Sequence, residues 1–379
     1  GRCMGGNYWG DNQNTGFSDT CADVNYDGIC DDPLVFSSSD SDELPLAIPS
    51  NFECGDITTS GTYTLTKDLT STGTCINVLA DDVVINCAGK TITGSYVGMG
   101  IDIHSHNNVR VENCTILGYE DAIRVETSDN VWMKNNTVYN NRRKGIYIVR
   151  SNSTITNNSV YKNKLYGVHV EQSDTTIISN SISNNTKKGI YMGSSNSTIV
   201  NNSICNNTDN GIDMSLSSNS IVVGNLIYDN SFNGINIRFS NATIVNNSIY
   251  SNVHYGIHLE ISSSNVTNNT IVENDIGIYL FRSTANNITN NRILRSLSTG
   301  VLFDASNAGS VINNTISDNV QYGIYFGSLF PSTFRGHIAL NNTVCSNGQM
   351  DVFDERGRSS FDDNSCDSAS RIGICEKSC

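Results

Sequence analysis

The chain contains little charge and little proline. Only 16% of its 379 residues are Asp, Glu, Lys or Arg, and only four are proline. Globular proteins usually carry about 25% charged residues, and here Asn, Ser and Thr fill the gap. The composition predicts a polar surface rich in hydrogen-bonding groups. The scarcity of proline and the lack of a Gly/Ser linker argue against a string of loosely tethered modules.

Basic residues are also few. There are 23 Lys and Arg against 37 Asp and Glu, which gives a net charge of −14. Nucleic acids and anionic membrane surfaces favour partners rich in Lys and Arg, so neither is predicted as a main partner. The sequence has no run of 18 apolar residues, and no membrane span is therefore predicted.

The twelve cysteines include no C-x-x-C pair and lie mostly near the two ends. This pattern favours disulfides in an oxidising compartment over a metal site. Residue 1 is Gly, which we interpret as the start of a processed product whose signal segment has been removed. The predicted location is extracellular, at or beyond the cell surface.

A unit of about 22 residues repeats through most of the chain. Its first signature is Gly (once Ala) followed by Ile or Val, at steps of 21 to 23 residues between Gly100 and Gly323. Its second is Asn-Asn-Ser/Thr-Ile/Val at the same period, as at Asn157-Asn158. Eleven matched units exclude chance, and such self-similarity is typical of solenoids.

Within each unit the apolar residues alternate, as in Ile146-Tyr147-Ile148. Alternating β-branched residues predict short strands with one face inward. A leucine-rich repeat needs a leucine-dominated consensus, which is missing. The sequence therefore predicts an all-β parallel β-helix of about eleven coils, stacked about 4.8 Å apart. A column of asparagines would form a ladder between coils, namely Asn136, Asn158, Asn180, Asn202, Asn225, Asn247, Asn269, Asn291, Asn314 and Asn342.

The segment GTYTLTKDLTSTGTCINVLADDVVINCAGKTITG at residues 61–94, followed by these coils, resembles right-handed β-helix proteins of the NosD-like, pectin-lyase-like group. It is especially similar to secreted surface proteins of archaea. The resemblance covers roughly residues 50–379, and residues 6–33 are similar to a further segment of that family. The group includes polysaccharide enzymes, copper-site maturation proteins and non-enzymatic surface proteins, so the fold leaves the function open.

The predicted organisation has four parts. They are an N-terminal segment at 1–50 that contains a calcium-like loop, a cap with the first strands at 51–95, the repeated coils at 96–352, and a Cys-rich C-terminal cap at 353–379.

The N-terminal segment contains a loop with the spacing of a calcium site around Gly28, which supplies a sharp turn. Leu34 stands where a helix–loop–helix calcium loop has its bidentate Glu. The candidate ligands are Asp23, Asn25, Asp27, Asp31 and Asp32 with the Ile29 carbonyl. We predict a structural Ca²⁺ ion; the alternative is an acidic turn closed by a Cys21–Cys30 disulfide without metal.

The other cysteines are predicted to close the ends of the solenoid. The family resemblance implies a Cys54–Cys75 pair, while Cys87 and Cys114 fall one coil apart, close enough to bond. Cys205 and Cys345 lie six coils apart, about 30 Å, and cannot bond to each other. Cys205 is therefore predicted to be free or intermolecular. Further candidates for disulfides near the C-terminus are Cys366, Cys375 and Cys379.

Fifteen N-x-S/T sequons occur. Many follow from the repeat itself, because a ladder Asn beside a strand Ser or Thr creates the pattern. We predict partial glycosylation among Asn113, Asn135, Asn152, Asn157, Asn184, Asn196, Asn201, Asn206, Asn241, Asn246, Asn265, Asn268, Asn287, Asn313 and Asn341.

No complete catalytic motif is present. The Asn-Thr-Asp, Asp-Asp, Gly-His-Gly and Arg-Ile-Lys set of polygalacturonases is absent, and no pectate-lyase-type Asp cluster stands out. The best candidates for acid–base chemistry are His169 with Glu171 and His258 with Glu260. The sequence interpretation is that the chain is not an enzyme. A predicted outward aromatic stripe comprises Tyr147, Tyr191, Tyr279 and Tyr325, and a second column comprises Tyr139, Tyr161, Tyr228 and Tyr250.

The first functional hypothesis is an extracellular structural protein that assembles head to tail with copies of itself. Residues 1–50 would close the C-terminal end of a neighbouring subunit, giving a filament or surface layer, with adhesion as a further role. The alternative is that this segment caps its own chain. The competing functions are a polysaccharide-active enzyme, either lyase or glycoside hydrolase, and a monomeric adhesin that binds glycans or surfaces.

Overall fold

The computed structural model describes residue 30 and residues 34–37, 40–42, 52–327, 336–355, 357–370 and 373–379. From Gly55 to Cys366 the chain forms a parallel β-helix, as predicted, with three parallel sheets of 14 strands each. We name them sheets A, B and C in the order in which each coil visits them. A separate antiparallel hairpin pairs Leu34–Ser37 with Asp40–Asp42.

The strands of each sheet recur once per coil. Those of sheet A are Gly55–Ile57, Ile76–Val78, Met99–His104, Asp121–Glu126, Lys144–Val149, Val168–Glu171, Ile190–Gly193, Ile212–Ser215, Ile235–Arg238, Tyr255–Glu260, Ile276–Phe281, Val301–Asp304, Tyr322–Phe326 and Met350–Asp354. Those of sheet B are Gly61–Thr64, Val83–Asn86, Arg110–Glu112, Val131–Lys134, Ser153–Thr156, Thr175–Ile178, Thr198–Val200, Ser220–Val223, Ala242–Val245, Asn265–Thr267, Asn287–Thr289, Ser310–Ile312, Ile338–Leu340 and Ser360–Asp362. Those of sheet C are Leu69–Thr70, Thr91–Thr93, Thr115–Leu117, Thr137–Tyr139, Ser159–Tyr161, Ser181–Ser183, Ser203–Cys205, Leu226–Tyr228, Ser248–Tyr250, Thr270–Val272, Arg292–Leu294, Thr315–Ser317, Thr343–Cys345 and Ser365–Cys366.

The solenoid has fourteen coils rather than about eleven. The first two coils and the last lack the Gly-Ile signature, which is why the repeat count misses them. At the repeated glycine a side chain has no room: a Cβ on Gly323 would lie 2.5 Å from the Asp351 carbonyl oxygen of the next coil. Asp351 itself occupies the equivalent place in the last coil, where the C-terminal segment packs on the strand through a bridge between Val352 and Ala369.

The core is a column of aliphatic side chains from all three sheets. In the coil that begins at Lys144, the buried residues are Ile146 and Ile148 in sheet A, Ile155 in sheet B and Val160 in sheet C. Their counterparts in neighbouring coils stack directly above and below. Each coil therefore buries its apolar face only with the help of its neighbours.

The predicted asparagine ladder is present and extends one coil further, to Asn364. At Asn202, the side-chain oxygen accepts bonds from the backbone N and the side-chain nitrogen of Asn180, both within 3.0 Å. A second buried ladder was not predicted. It comprises Asn141, Asn163, Asn185, Asn207, Asn230, Asn252, Asn274, Asn319 and Asn347. Ser296 stands in place of Asn in one coil, where its backbone N donates to Asn319 but its hydroxyl has no partner among the described residues. The Asp351 carboxylate ends this ladder by accepting bonds from Asn347.

Four disulfides have both cysteines among the described residues and lie toward the two ends of the solenoid: Cys54–Cys75, Cys87–Cys114, Cys345–Cys379 and Cys366–Cys375. The first two are the pairs named from the sequence, whereas the Cys345–Cys379 pair was not foreseen. Cys205 is free and buried. Cys30 is also disulfide-bonded, and Cys21 lies outside the described residues.

The calcium prediction cannot be placed on the structure, because Asp23, Asn25, Asp27, Ile29, Asp31 and Asp32 lie outside the described residues. Ca²⁺ therefore stays a prediction. In the described part of the chain, no helix is long and apolar enough to cross a membrane.

Candidate functional site

The outer face of sheet A concentrates the polar and aromatic side chains of the solenoid. Residues at the first outward position of each strand stack in register, as in Tyr147 beside His169 and His169 beside Tyr191. Because these side chains cover one another, most are half-buried rather than exposed. This face brings together both histidine–glutamate pairs and all four tyrosines of the predicted stripe.

Two strands of this face carry the same six-residue pattern. Tyr166–Glu171 reads YGVHVE and Tyr255–Glu260 reads YGIHLE. They lie four coils apart, roughly 19 Å along the axis. We call them the first and second histidine units.

In the first unit, His169 is enclosed by aromatic rings. Its ring centroid lies 4.9 Å from Tyr147, 5.2 Å from Tyr166 and 4.9 Å from Tyr191. Its Nε2 faces the Glu171 carboxylate at 3.4 Å, which places the imidazole proton on Nε2. Glycine at position 193 makes this possible, because a Cβ there would lie 2.3 Å from Glu171 Oε2.

The other nitrogen of His169, Nδ1, is buried and has no hydrogen-bond partner among the described residues. Burial, and then the positive charges of Lys144, Arg143 and Lys188, lower the pKa of His169 to about 3. The imidazole is therefore neutral at neutral pH and keeps an unused lone pair. Buried polar atoms without a partner are uncommon and often mark functional sites.

Two lysines flank this histidine on the adjacent coils. Lys144 Nζ lies 3.3 Å from the centroid of the Tyr147 ring and 3.9 Å from Asp121 Oδ2. Lys188 forms an ion pair with the buried Asp213 and lies 4.6 Å from the Tyr191 ring centroid. Burial is the main cause that raises the pKa of both Tyr147 and Tyr191, so their hydroxyls stay protonated and can donate.

A local basic patch surrounds the first unit. The segment 142–188 contains eight Lys or Arg but only two Asp or Glu, in a chain of net charge −14. Arg142, Arg143, Lys164 and Lys187 are exposed on the turns that lead from sheet C into sheet A. Net charge over the whole chain conceals this patch, whereas a count of charged residues over each few coils reveals it.

In the second unit, hydrogen bonds hold His258. Its Nδ1 lies 2.7 Å from Asn236 Oδ1, so Nδ1 carries the proton and donates it. Asn236 Nδ2 donates in turn to Asp213 Oδ1 at 3.0 Å. Tyr279 stacks on the imidazole at 5.2 Å, and burial followed by Arg238 lowers the pKa of His258 to about 4.

The aromatic residues divide into separate sites rather than one stripe. Tyr147 and Tyr191 flank His169, whereas Tyr325 lines a cleft with Leu302, Asp304 and Tyr322. On sheet C the second tyrosine column forms two stacked pairs, Tyr139 with Tyr161 and Tyr228 with Tyr250, each with centroids 5.0 Å apart.

The sequon asparagines lie on the outside of the solenoid. Fourteen of the fifteen are exposed, and Asn113 is half-buried. Their glycosylation stays a prediction.

The known proteins that this chain resembles share its β-helix fold. The family model described as right handed beta helix region matches residues 57–191 and 144–293, and the model described as periplasmic copper-binding protein (NosD) matches residues 232–373. No curated protein matches the sequence. Among solved structures, a mutant of the periplasmic alginate epimerase AlgG is similar with a TM-score of 0.57 at 16% identity, covering 82% of this chain and 78% of that one. The A-module of the Azotobacter vinelandii mannuronan C-5 epimerase AlgE6 gives 0.56 at 16% identity, covering 82% and 90%.

At this identity the likeness shows the fold alone, but it corrects one prediction. The sequence interpretation that the chain is not an enzyme rested on missing motifs of other enzymes. Both of these structures are of polysaccharide-modifying enzymes that share the fold. The missing motifs therefore carry no weight against an enzyme, and that interpretation is wrong.

The residues matched by the NosD model do not fit a copper site. No group of three or more His, Cys, Asp or Glu within the described residues is arranged to hold a metal ion. In 232–373, Cys345 and Cys366 are disulfide-bonded and His258 is bonded to Asn236. Copper prefers clustered imidazole and sulfur ligands, and we derive no chemistry from it.

Proposed function

Because this chain belongs to the right-handed β-helix family, we propose that it acts on an acidic polysaccharide, which binds to the outer face of sheet A and loses a proton to His169. The observation that carries the proposal is the first histidine unit: a neutral imidazole with an unpartnered nitrogen, set between two lysines and two tyrosines. The AlgG and AlgE6 comparisons support it, since alginate is an acidic polysaccharide.

The basic patch suits a polyanion. Arg142, Arg143, Lys164 and Lys187 line the turns beside His169, and successive coils repeat the same positions along the axis. An extended uronate polymer laid along the coils meets a cation at each step. In an otherwise acidic protein, this local field would attract such a chain and orient it over the first unit.

The chemistry is proton abstraction next to a carboxylate. The C5 proton of a uronate becomes acidic when positive charge neutralises the adjacent carboxylate. Lys144 and Lys188, whose charges act on His169, are the candidates for that role. The substrate carboxylate would share them with Asp121 and Asp213. His169 Nδ1 accepts the proton, and the electron pair of the C–H bond moves toward the carboxylate. The bound carboxylate also offsets the lysine charges that depress the pKa of His169, so substrate makes the imidazole a stronger base.

Two outcomes follow from this carbanion-like state. If the C4–O bond breaks, the leaving oxygen takes a proton from a tyrosine hydroxyl and the polymer is cleaved, which is a lyase reaction. If a tyrosine instead returns a proton to C5 on the opposite face, the uronate is epimerised. Tyr147 and Tyr191 stand on either side of His169 and are the candidate donors. Their half-buried rings cover Nδ1, so one of them must turn aside for the substrate.

A glycoside hydrolase is less well supported. Hydrolysis needs two available carboxyl groups on either side of the scissile bond. Near the first unit, Asp213 is 1% exposed at its side chain and paired with Lys188, and Asp102 is held by Arg124 at 2.8 Å.

The test is turnover of purified polysaccharides. The protein is incubated with a panel of polyuronates and with a neutral glucan, and cleavage is followed by the ultraviolet absorbance of the unsaturated product and by viscosity. Epimerisation is followed by the change in uronate composition. His169→Gln should reduce kcat by about 10²–10⁴-fold with little change in binding, while His106→Gln, a matched control on a distant turn, should not. Lack of binding and turnover on every polyuronate would overturn the proposal.

The disulfides support a location outside the reducing cytosol, and we propose an extracellular or periplasmic site of action. The self-assembly hypothesis stays a prediction. It rests on residues 1–50, of which only residue 30 and the hairpin strands at 34–37 and 40–42 are among the described residues.

A further inference from the structure

We propose that the second histidine unit is a separate saccharide-binding site, which holds a further uronate of the same polymer chain without transforming it. This inference rests on the proposed function of the first unit. It is carried by three polar atoms on two adjacent coils that the described chain leaves unpaired.

Three buried polar atoms near His258 have no hydrogen-bond partner within the described chain. They are His258 Nε2, Arg238 Nε and Asn233 Nδ2. Asn233 and Arg238 belong to one coil, on either side of Asn236, and His258 stacks on Asn236 from the next coil. Leaving such atoms unpaired is unfavourable, so their grouping on one face calls for a ligand that completes them.

The protein fixes the hydrogen-bonding character of this group. Because Asn236 Oδ1 holds the proton on Nδ1 of His258, Nε2 is an acceptor, suited to a sugar hydroxyl. Arg238 Nε and Asn233 Nδ2 are donors, suited to a carboxylate or a ring oxygen. This set of one acceptor and two donors, of which Arg238 is cationic, suits a uronate, which offers both hydroxyls and a carboxylate, better than a neutral sugar.

The tyrosines supply an apolar wall. Tyr255 and Tyr279 have centroids 4.7 Å apart and both contact His258. Their rings are half-buried and pack on this imidazole, as Tyr147 and Tyr191 pack on that of the first unit. A saccharide would enter by displacing one ring and packing against the other.

The second unit lacks the groups that activate a uronate in the first. The positions equivalent to Lys144 and Lys188 are Asn233 and Ile276. Without the two lysines, no pair of cations neutralises the carboxylate next to the reacting carbon. The second unit is therefore equipped for binding rather than for proton abstraction.

The two units are connected along the face. Lys188, beside His169, is paired with Asp213, and Asp213 is bonded to Asn236, which holds His258. The polymer would follow this row of side chains over roughly 19 Å. Engaging both sites with one chain raises affinity through effective concentration.

The test measures binding of oligouronates of increasing length by titration calorimetry. For the wild-type protein, affinity should rise at least tenfold once an oligomer is long enough to span both units. Arg238→Gln and Asn233→Ala should each remove that rise and increase KM for the long polymer about tenfold. The kcat should be unchanged in Asn233→Ala. That variant is used for this comparison because Arg238 also faces Asp213, the partner of Lys188. Arg295→Gln is the matched control, since it removes an exposed charge that pairs with Glu273 elsewhere on the solenoid.

The outcomes separate the two proposals. If the wild-type protein binds short and long oligouronates equally, or if Arg238→Gln and Asn233→Ala bind as the control does, the second site is refuted while the first stands. If no oligouronate of any length binds, the proposed function fails and the second site fails with it. Thermal unfolding of each variant distinguishes a lost site from a misfolded chain.

Discussion

At the scale of single residues, the repeat predicted that His169 and His258 lie on the outer face, but it did not predict which side chains surround them. The outward column of the repeat could be read from the sequence, and it placed His169 and His258 on one face. What could not be read was which neighbours would cover them. Burial by Tyr147 and Tyr191, and the approach of Lys144, depend on side-chain directions between coils that lie 22 residues apart. The depressed histidine pKa values follow from that packing.

These histidines should make the protein acid-sensitive. The pKa values of His169 and His258 are about 3 and about 4 in the folded state, against about 6.5 when unfolded. Between these values the unfolded state binds more protons than the folded state. The two histidines therefore leave the free energy of unfolding unchanged above about pH 6.5 and lower it as the pH falls from there toward their folded pKa values. The urea midpoint should be lower at pH 5 than at pH 7, and His258→Gln should show a smaller decrease. Equal midpoints for the wild type at both pH values would contradict the burial of neutral imidazole.

At the scale of the repeated elements, one asparagine ladder was predictable and the other was not. The first follows from the Asn-Asn-Ser/Thr pattern. The second lies on turns whose direction depends on a preceding residue with positive φ, such as Lys162 at 55° or Asp229 at 52°. Because residues as different as Lys and Asp adopt this conformation, composition does not reveal it. The turn then points the next Asn, Asn163 or Asn230, into the interior.

The ladder should contribute strongly to stability at each step. Asn202 donates to the Ile177 and Val200 carbonyl oxygens and to Asn225, while its oxygen accepts from Asn180. Asn202→Ala leaves several of these groups buried and unpaired, and should cost about 2–4 kcal/mol of unfolding free energy.

The neighbouring residue offers a matched control. Asn201 is exposed with φ at 54°, and Gly224 occupies the equivalent position one coil on. Asn201→Gly should change the unfolding free energy by less than about 0.5 kcal/mol, as measured by urea denaturation. Similar losses for both variants would mean that the ladder is not what stabilises the coils.

At the scale of the whole molecule, the fold class was predictable and its length was not. The repeat established a solenoid, but the first two coils and the last carry other residues at the position of the repeated glycine, so the repeat count missed them. Asp351 illustrates this: it stands where the preceding coils have glycine, its carboxylate closes the second ladder, and it accepts hydrogen bonds from the backbone N of Asp367 and Ser368. The interpretation that the chain is not an enzyme was wrong because it rested on motifs of other enzymes, and net charge concealed the basic patch at residues 142–188.

The disulfides should stabilise the terminal coils against local unfolding and should not change the stability of the central coils. Cys345–Cys379 closes a loop of 34 residues, worth about 3–4 kcal/mol in the chain-entropy model. Because each coil contacts only its neighbours, its loss should act locally. In a Cys345→Ser/Cys379→Ser variant, hydrogen exchange should accelerate in the coils after residue 310, with exchange around Ile190 unchanged. Uniform acceleration along the chain would show that the solenoid unfolds as one unit.

The central claim is that His169 takes a proton from a uronate bound on the outer face of sheet A. Proton NMR of polyuronates incubated with the protein in deuterated water tests it most directly. The account predicts that the wild-type protein causes either loss of the H5 signal through deuterium incorporation or a new vinylic proton, and that His169→Gln causes neither. Unchanged spectra with every polyuronate, or equal deuterium incorporation by the His169→Gln variant, would contradict it.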